Sequence, residues 1–276
     1  MKRIFKHFTY YLLSLSFSLT ALADYDYQYD ITHATSVDDA VLNITQTLIA
    51  QQFEIIAVIN HQQNADNVGL SLRPTQVILF RKKYLESSLV NRSTTAAIDL
   101  PFKILIYENE SGEIKLKSND IGYLIDRHEI PVRQFGLRKL DATMDQFGLN
   151  NKGLIFTQSQ QNVAETILKL RDILLTAGFF IAKEIDYSKQ GHHQKDITLL
   201  IFGNPNVGSL LMQNRQEIGL DLPQKFLVFK DEEGQVQIAH NNPRFIAQRA
   251  GIQGLDTLLT NVGNALNNFA TQGAIP

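Results

Sequence analysis

Apolar residues along this chain keep two periods, and the order in which those periods follow one another occurs twice. The first occurrence opens on an alternating stretch over 27–33 and continues into a segment that sets Val37, Ala40, Val41, Ile44 and Leu48 on one helical face, with Ser36 at the N-cap position. Strands are predicted next over 53–59 and 75–80, separated by a loop. A short helix leads into a hairpin with arms over 102–107 and 113–117, whose turn, Glu110-Ser111-Gly112, puts glycine where positive φ is wanted. A helix over 123–127 ends the unit. The second occurrence repeats this: a strand over 154–158, then a helix with Val163, Ile167, Leu170 and Leu174 on one face, begun by Gln161 or Asn162 and closed by Gly178. Strands over 179–185 and 197–202 follow, then a hairpin over 225–229 and 235–239 around Glu232-Glu233-Gly234, and a helix over 245–249. A final tail carries Leu255, Leu258, Leu259, Val262, Leu266 and Phe269 at helical spacing and is expected to pack on the second unit.

The two units are copies in sequence as well as in pattern. At a constant offset of 122, residues 78–130 pair with 200–252 without a gap and give 13 identities in 53 positions, where composition alone supplies about three. Upstream the offset is 126, pairing 37–61 with 163–187 at 6 identities in 25, so the first copy has four extra residues in a loop between His61 and Val77. Strands interleaved with helices, apolar mostly on one face, predict an α/β (α+β two-layer) fold: each module a small mixed sheet covered by helices on one face, duplicated in tandem as an intramolecular pseudo-dimer. The expected organisation is a leader over 1–23, a first module over 24–130, a helical connector over 131–152, a second module over 153–252 and a C-terminal helix over 253–276.

Within the repeat lie residues that carry a family pattern. The first copy has Gly69, Leu72-Arg73-Pro74-Thr75, Phe80, Asp99-Leu100-Pro101, Gly112 and Arg127-His128; the second has Phe202-Gly203-Asn204-Pro205, Gly208, Met212, Asp221-Leu222-Pro223, Asn241-Asn242-Pro243 and Arg249. In this the chain resembles the Domain of Unknown Function 302 family, over nearly all of both modules. Neither copy is complete: Arg81-Lys82-Lys83 replaces Gly-Asn-Pro in the first, and Gln194-Lys195-Asp196-Ile197 replaces Leu-Arg-Pro-Thr in the second. The resemblance implies a compact α/β fold and a tendency to pair, and no established activity.

Composition narrows what the modules do. Basic residues at Lys2, Arg3 and Lys6 precede an apolar run of 13 residues from Tyr10 to Leu22 and an Ala21-Leu22-Ala23 cleavage pattern, the order of a secretory signal peptide. The run is too short for a membrane span, which needs about 20 residues, so an exported, periplasmic or secreted protein with no span after cleavage is expected. Cleavage after Ala23 leaves 26 − 3 = 23 basic against 28 acidic residues, a charge of −5, and no concentrated basic face of the kind nucleic acid requires. With no cysteine there is neither a disulfide nor a thiolate ligand.

Several residues remain as candidates for chemistry. Gly203, Asn204 and Gly208 lie between a strand end and a helix, where free backbone N–H groups would hold an anion; the plainer role is a cap, with Asn204 at the N-cap and Pro205 in the first turn. Arg73, held extended by Pro74 and followed by Thr75, is a candidate anion clamp or a loop arginine bridging to a carboxylate. Asp99 and Asp221, each before Leu-Pro (Pro101, Pro223), fit either turns bonded to their own backbone or ligating carboxylates, and pairing with Arg127 and Arg249 would give each module an internal ion pair. His192-His193 with Asp196 lacks metal-ligand geometry, and no catalytic or cofactor motif is present, so no metal and no cofactor is expected. The reading that follows is a non-catalytic binding or assembly module of the cell envelope, its partner a small molecule or envelope protein and its anion site at the module junction. The alternative is an enzyme using His61 or His128 with Asp99 as acid and base.

Overall fold

A computed structural model describes residues 33–131, 152–188 and 196–276. The expected leader, the strand over 27–33 apart from His33, the connector apart from its end residues, and His192-His193 lie outside the described residues.

In the first module the Ser36 side chain accepts from the Asp39 amide and starts α1 (Val37–Ala50). The helix lays Val37, Ala40, Ile44 and Leu48 against one face of a sheet formed by β1 (Glu54–Asn60), β2 (Thr75–Arg81), β3 (Phe102–Glu108) and β4 (Ile114–Ser118), in that order. The loop between β1 and β2 contains a helix that the sequence pattern does not predict, α2 (His61–Asp66), begun by Asn60, whose side chain accepts from the Gln63 amide. Six residues are too few to display an apolar period. Between β2 and β3 come α3 (Lys83–Arg92) and a 3₁₀ turn, Thr94–Ile98; α4 (Ile121–Arg127) ends the module.

The second module opens on β5 (Leu154–Ser159) and α5 (Val163–Thr176), the latter begun by a capping box between Asn162 and Glu165. Then follow β6 (Phe180–Asp186), β7 (Ile197–Gly203), α6 (Pro205–Asn214), a 3₁₀ turn Gln216–Leu220, β8 (Gln224–Lys230), β9 (Val236–Asn241), α7 (Pro243–Ala250) and α8 (Asp256–Gly273). Its five strands lie in the order β5-β9-β8-β7-β6. The α+β class is as expected, with one correction: every described strand pairing is antiparallel, so the sheets are not mixed. Parallel neighbours need a crossover, and the crossover through α5 carries the chain from β5 at one edge to β6 at the other. The tail behaves as its spacing predicts: Leu266 and Ala270 of α8 pack with Ile167, Leu170 and Leu174 of α5. Gly273 permits that approach, since a Cβ there would stand 2.5 Å from Leu170 Cδ2.

The sheet faces not covered by α1 and α5 meet each other. Val77, Leu79 and Leu105 of the first module pack with Leu199, Ile201 and Leu227 of the second in one apolar layer. Alternation sends Ile78, Phe80, Ile104 and Ile106 to α1 and Leu200, Phe202, Phe226 and Val228 to α5 and α8. The central strands are therefore buried on both faces, which is why they are apolar nearly throughout. No helix among the described residues is long and apolar enough to cross a membrane.

Candidate functional site

Four residue types recur at the junction at the 122 offset: Asp99 and Asp221, Lys103 and Lys225, Asn119 and Asn241, Arg127 and Arg249. Each aspartate closes a 3₁₀ turn and each arginine lies in the last turn of a helix. Arg127 Nη1 donates to Asp99 Oδ2 at 2.8 Å, and Nη2 crosses the junction to Asn241 Oδ1 at 2.6 Å. Arg249 mirrors it, with Nη1 at 3.1 Å from Asp221 Oδ2 and Nη2 on Asn119 Oδ1. Each guanidinium also stacks on a ring of the other module, Arg127 on Phe245 at 4.7 Å and Arg249 on Tyr123 at 4.3 Å. The ion pair expected inside each module is thus part of a reciprocal, pseudo-twofold lock. The aspartate carboxylates serve the arginines and not their own turns.

Asp99 is 2% exposed, and burial opposes its charge, yet Arg127, His128 and Lys103 together hold its carboxyl well below the usual range. His128 Nε2 lies 2.7 Å from Asp99 Oδ2, and since a carboxylate only accepts, that nitrogen carries the proton and Nδ1 accepts from Thr95 Oγ1 at 3.1 Å. Burial keeps His128 neutral against the pull of Asp99. Lys103 Nζ stands 3.6 Å from Asp221 and 4.0 Å from Asp99. Burial, helped by Lys103, pushes the Lys225 amine well below its ordinary value. The acid-base pair of the enzyme reading therefore sits inside the lock: His128 is 4% exposed and the oxygen it bonds already takes Arg127. His61 lies elsewhere, so one catalytic set is not assembled.

A separate cavity of about 190 Å³ opens where α6, α8 and α2 converge. Its construction begins at Gly203, where a Cβ would stand 2.8 Å from Phe180 Cζ; glycine lets that ring close over the strand end. Asn204 accepts from the Asn206 amide and Pro205 fills the first turn of α6, the capping arrangement its sequence predicts. Gly208 on the same helix leaves room, because a Cβ there would meet only Leu222 Cδ1 at 3.7 Å and Met212 Cε at 3.9 Å. Phe179, Val262, Leu266 and Phe269 complete a mainly apolar wall, and the first module adds His61 and Asn64 from α2. Asn64, Asn204 and the exposed Asn261 are also among its lining residues.

Three polar atoms in that wall have no hydrogen-bond partner among the described residues: His61 Nε2, Ser209 Oγ and Gln224 Oε1. Their residues are 4%, 1% and 8% exposed, and an unpaired buried polar atom costs about 1–3 kcal/mol. Burial lowers His61 to about 4 against a hydrogen bond to the Gly219 backbone that raises it, so the ring is neutral at pH 7. A backbone bond that raises an imidazole pKa is to a carbonyl. With Nε2 unpartnered, Nδ1 carries the proton to that carbonyl and Nε2 keeps its lone pair. Two of the three atoms are then acceptors, and none of the described residues that line the cavity is charged.

The ligand residues expected from the sequence divide between two places. Gly203, Asn204 and Gly208 line the cavity, and Pro223 does too; Arg73 and Thr75 do not. Arg73 Nε and Nη2 donate to Gln216 Oε1 at 3.0 and 2.8 Å, and Gln216 Nε2 donates to Thr75 Oγ1 at 2.8 Å. The guanidinium fork is spent on a side chain of the other module, with Glu110 a further 3.6 Å contact, so Arg73 and Asn204 do not form one site. What the first copy gives the cavity is His61 and Asn64. Ser209, Gln224, Lys103 and Lys225 were not singled out by motif; identity across the repeat at Ser87/Ser209 and Lys103/Lys225 was the signal that would have found three of them.

Comparison with known proteins places these features. The family model described as domain of unknown function DUF302 matches residues 27–147 and 155–272. The chain is 35% identical over 103 residues to proteins named fluoride-specific ion channel FluC 1 from Brucella suis biovar 1 (strain 1330) and Brucella abortus biovar 1 (strain 9-941). The match takes in 36% of this chain and 41% and 38% of those proteins, so it spans less than half the length of either. A crystal structure of an uncharacterized conserved protein DUF302 from Bacillus stearothermophilus is similar at a TM-score of 0.41 and 16% identity, covering 44% of this chain and 97% of that one. With two tandem matches across most of its length, the chain belongs to the DUF302 family, the domain of unknown function.

Proposed function

We propose that this is an exported, non-enzymatic binding protein that takes up a small neutral molecule, apolar in body and bearing one hydrogen-bond donor, in the cavity between α6, α8 and α2. The observation that carries the reading is an apolar cavity whose wall holds two buried, unpartnered acceptors, His61 Nε2 and Gln224 Oε1. Its size agrees with a small occupant, since an apolar cavity of about 150 Å³ holds benzene. Export rests on the basic start and short apolar run of the first 23 residues. Calorimetric titration with benzyl alcohol tests the binding: one saturable site per chain is expected, lost in Gly208→Leu, whose side chain would enter the cavity. Absence of saturable binding by both benzyl alcohol and toluene refutes it.

A second reading, an anion at the lock, is favoured by the amines of Lys103 and Lys225, which are buried beside each other there. Fluoride, named for the channel relatives, is the probe. A fluoride-induced rise in melting temperature that chloride does not reproduce and that Lys103→Met removes is expected on this reading; equal effects of the two salts refute it.

A further inference from the structure

Gly203, Gly208 and His61, which line the cavity, each have an aligned counterpart of different chemistry in the other module. Glu54 pairs with Arg81 at the register position where Phe180 pairs with Gly203. Where the Phe180 ring folds over glycine, Arg81 instead reaches Glu54 through Nε–Oε2 and Nη2–Oε1 contacts of 3.1 Å each. Glu86 of α3 stands for Gly208 of α6, and Tyr187 stands for His61. Glu86 is fully buried, and among the described residues neither its carboxyl oxygens nor the buried Tyr187 hydroxyl has a hydrogen-bond partner. Arg81 and Tyr187, the counterparts of Gly203 and His61, both interact electrostatically with Glu86. The first module thus supplies, from its own helix, two methylenes and a carboxyl group to the place that Gly208 leaves open in the second.

We propose that Glu86 is a built-in stand-in for the ligand, and that the cavity of the second module binds a small monocarboxylic acid in its neutral form. This rests on the reading of that cavity as a ligand site and names the ligand's class. The acid O–H donates to His61 Nε2, the Ser209 hydroxyl donates to the acid carbonyl, and the hydrocarbon part lies against Phe179, Leu266 and Phe269. An ionised acid would bring a second set of acceptors against the His61 and Gln224 acceptors with no cation to offset it, and burying such a charge is costly. In the counterpart, burial pushes the Glu86 carboxyl up to about 8, so it too is held as the neutral acid. His61 is the one titratable side chain among the cavity's described lining residues, and at about 4 it does not change charge near neutrality.

Benzoic acid, benzamide and toluene, titrated into the full chain at pH 5 and pH 7, test the inference. Benzoic acid affinity is expected to fall about 100-fold between the two, tenfold per unit above the acid's own pKa, while benzamide and toluene affinities stay constant and toluene binds more weakly than benzamide. Gly208→Glu, which copies the first module, is expected to abolish benzoic acid binding. A benzoic acid affinity independent of pH, binding of benzamide without the acid at either pH, toluene binding as tight as the acid at pH 5, or undiminished acid binding by a folded Gly208→Glu each overturns it. Failure of all three probes instead removes the cavity reading itself, whereas toluene binding alone leaves the cavity and removes only the acid.

Discussion

Glu86 makes a quantitative demand on how stability varies with pH. The carboxyl is raised from 4.5 to about 8, with burial as the main cause, Arg81 opposing it and Glu54 adding to it. A carboxyl whose pKa is raised by folding stabilises the native state fully below the unfolded value, and that contribution drains away as pH rises to the folded value. Between pH 5 and pH 8 the unfolded chain has released this proton while the native chain still holds it. At about 1.4 kcal/mol per pH unit the loss over that window is on the order of 4 kcal/mol. Glu86→Gln keeps the shape and removes the proton, so its stability has no such term.

Urea unfolding of both proteins at pH 5 and pH 8 reads the double difference. The two are expected to be within about 1 kcal/mol of each other at pH 5, with Glu86→Gln the more stable by roughly 4 kcal/mol at pH 8. Comparison with the variant is needed because His61, depressed to about 4, acts in the opposite sense: its contribution is present above pH 6.5 and lost as pH falls. Equal pH dependence in the two proteins would refute the argument, since it would mean that Glu86 titrates as a solvated carboxyl.

Two further substitutions probe the lock and the cavity wall. Arg127→Met strands the Asp99 charge in the interior and is expected to cost about 3–5 kcal/mol in urea unfolding. Arg249→Met costs less because the Arg249 side chain is 22% exposed. Asp99, with its lowered pKa, contributes stability above the unfolded value of 3.8 that is lost as pH falls through the folded one, so Arg127→Met also flattens the acid limb of the stability curve. Gly203→Ala sets a Cβ 2.8 Å from Phe180 and is expected to cost about 1–3 kcal/mol; in the Phe180→Leu background the cost shrinks, and an equal cost in both backgrounds contradicts the contact.

The elements that could be found from sequence are those whose burial is periodic. Val37, Ala40, Ile44 and Leu48 face one sheet and nothing else, so their spacing announces α1; the hairpin turns follow from Gly112 and Gly234, both at positive φ. The helix α2 has too few residues for a period and is held by the Asn60 cap. The junction lock was half legible. Asp99 and Arg127 recur with Asp221 and Arg249, and recurrence pointed to a pair inside each module. That Asn119 and Asn241 cross to the opposite arginine depends on how the sheets face each other, which no local pattern carries. The cavity was least legible, because its polar atoms come from residues with ordinary alternative roles: a strand glutamine, a helix serine and a histidine after a strand. Arg73 drew attention as a bare guanidinium in an extended loop, and its partner Gln216, 143 residues away, gave no hint of itself.

The contrast between lock and cavity bears on why the modules are fused. In a homodimer with an isologous interface each substitution appears on both sides of the axis, so a carboxyl such as Glu86 would plug both half-sites or neither. Joining the copies in one chain removes that constraint. The lock has stayed reciprocal, because each arginine needs an aspartate from its own module and an asparagine from the other, and losing one strands buried charge. The cavity has not: Arg81, Glu86 and Tyr187 stand in one half at the positions where Gly203, Gly208 and His61 line the cavity in the other. Independent decay of two redundant copies would leave both half-sites eroded without compensation. Instead the residues that replace Gly203 and Phe180 pair with each other as Arg81 and Glu54, an interaction of that half's own, while the cavity of the other half is lined from both modules.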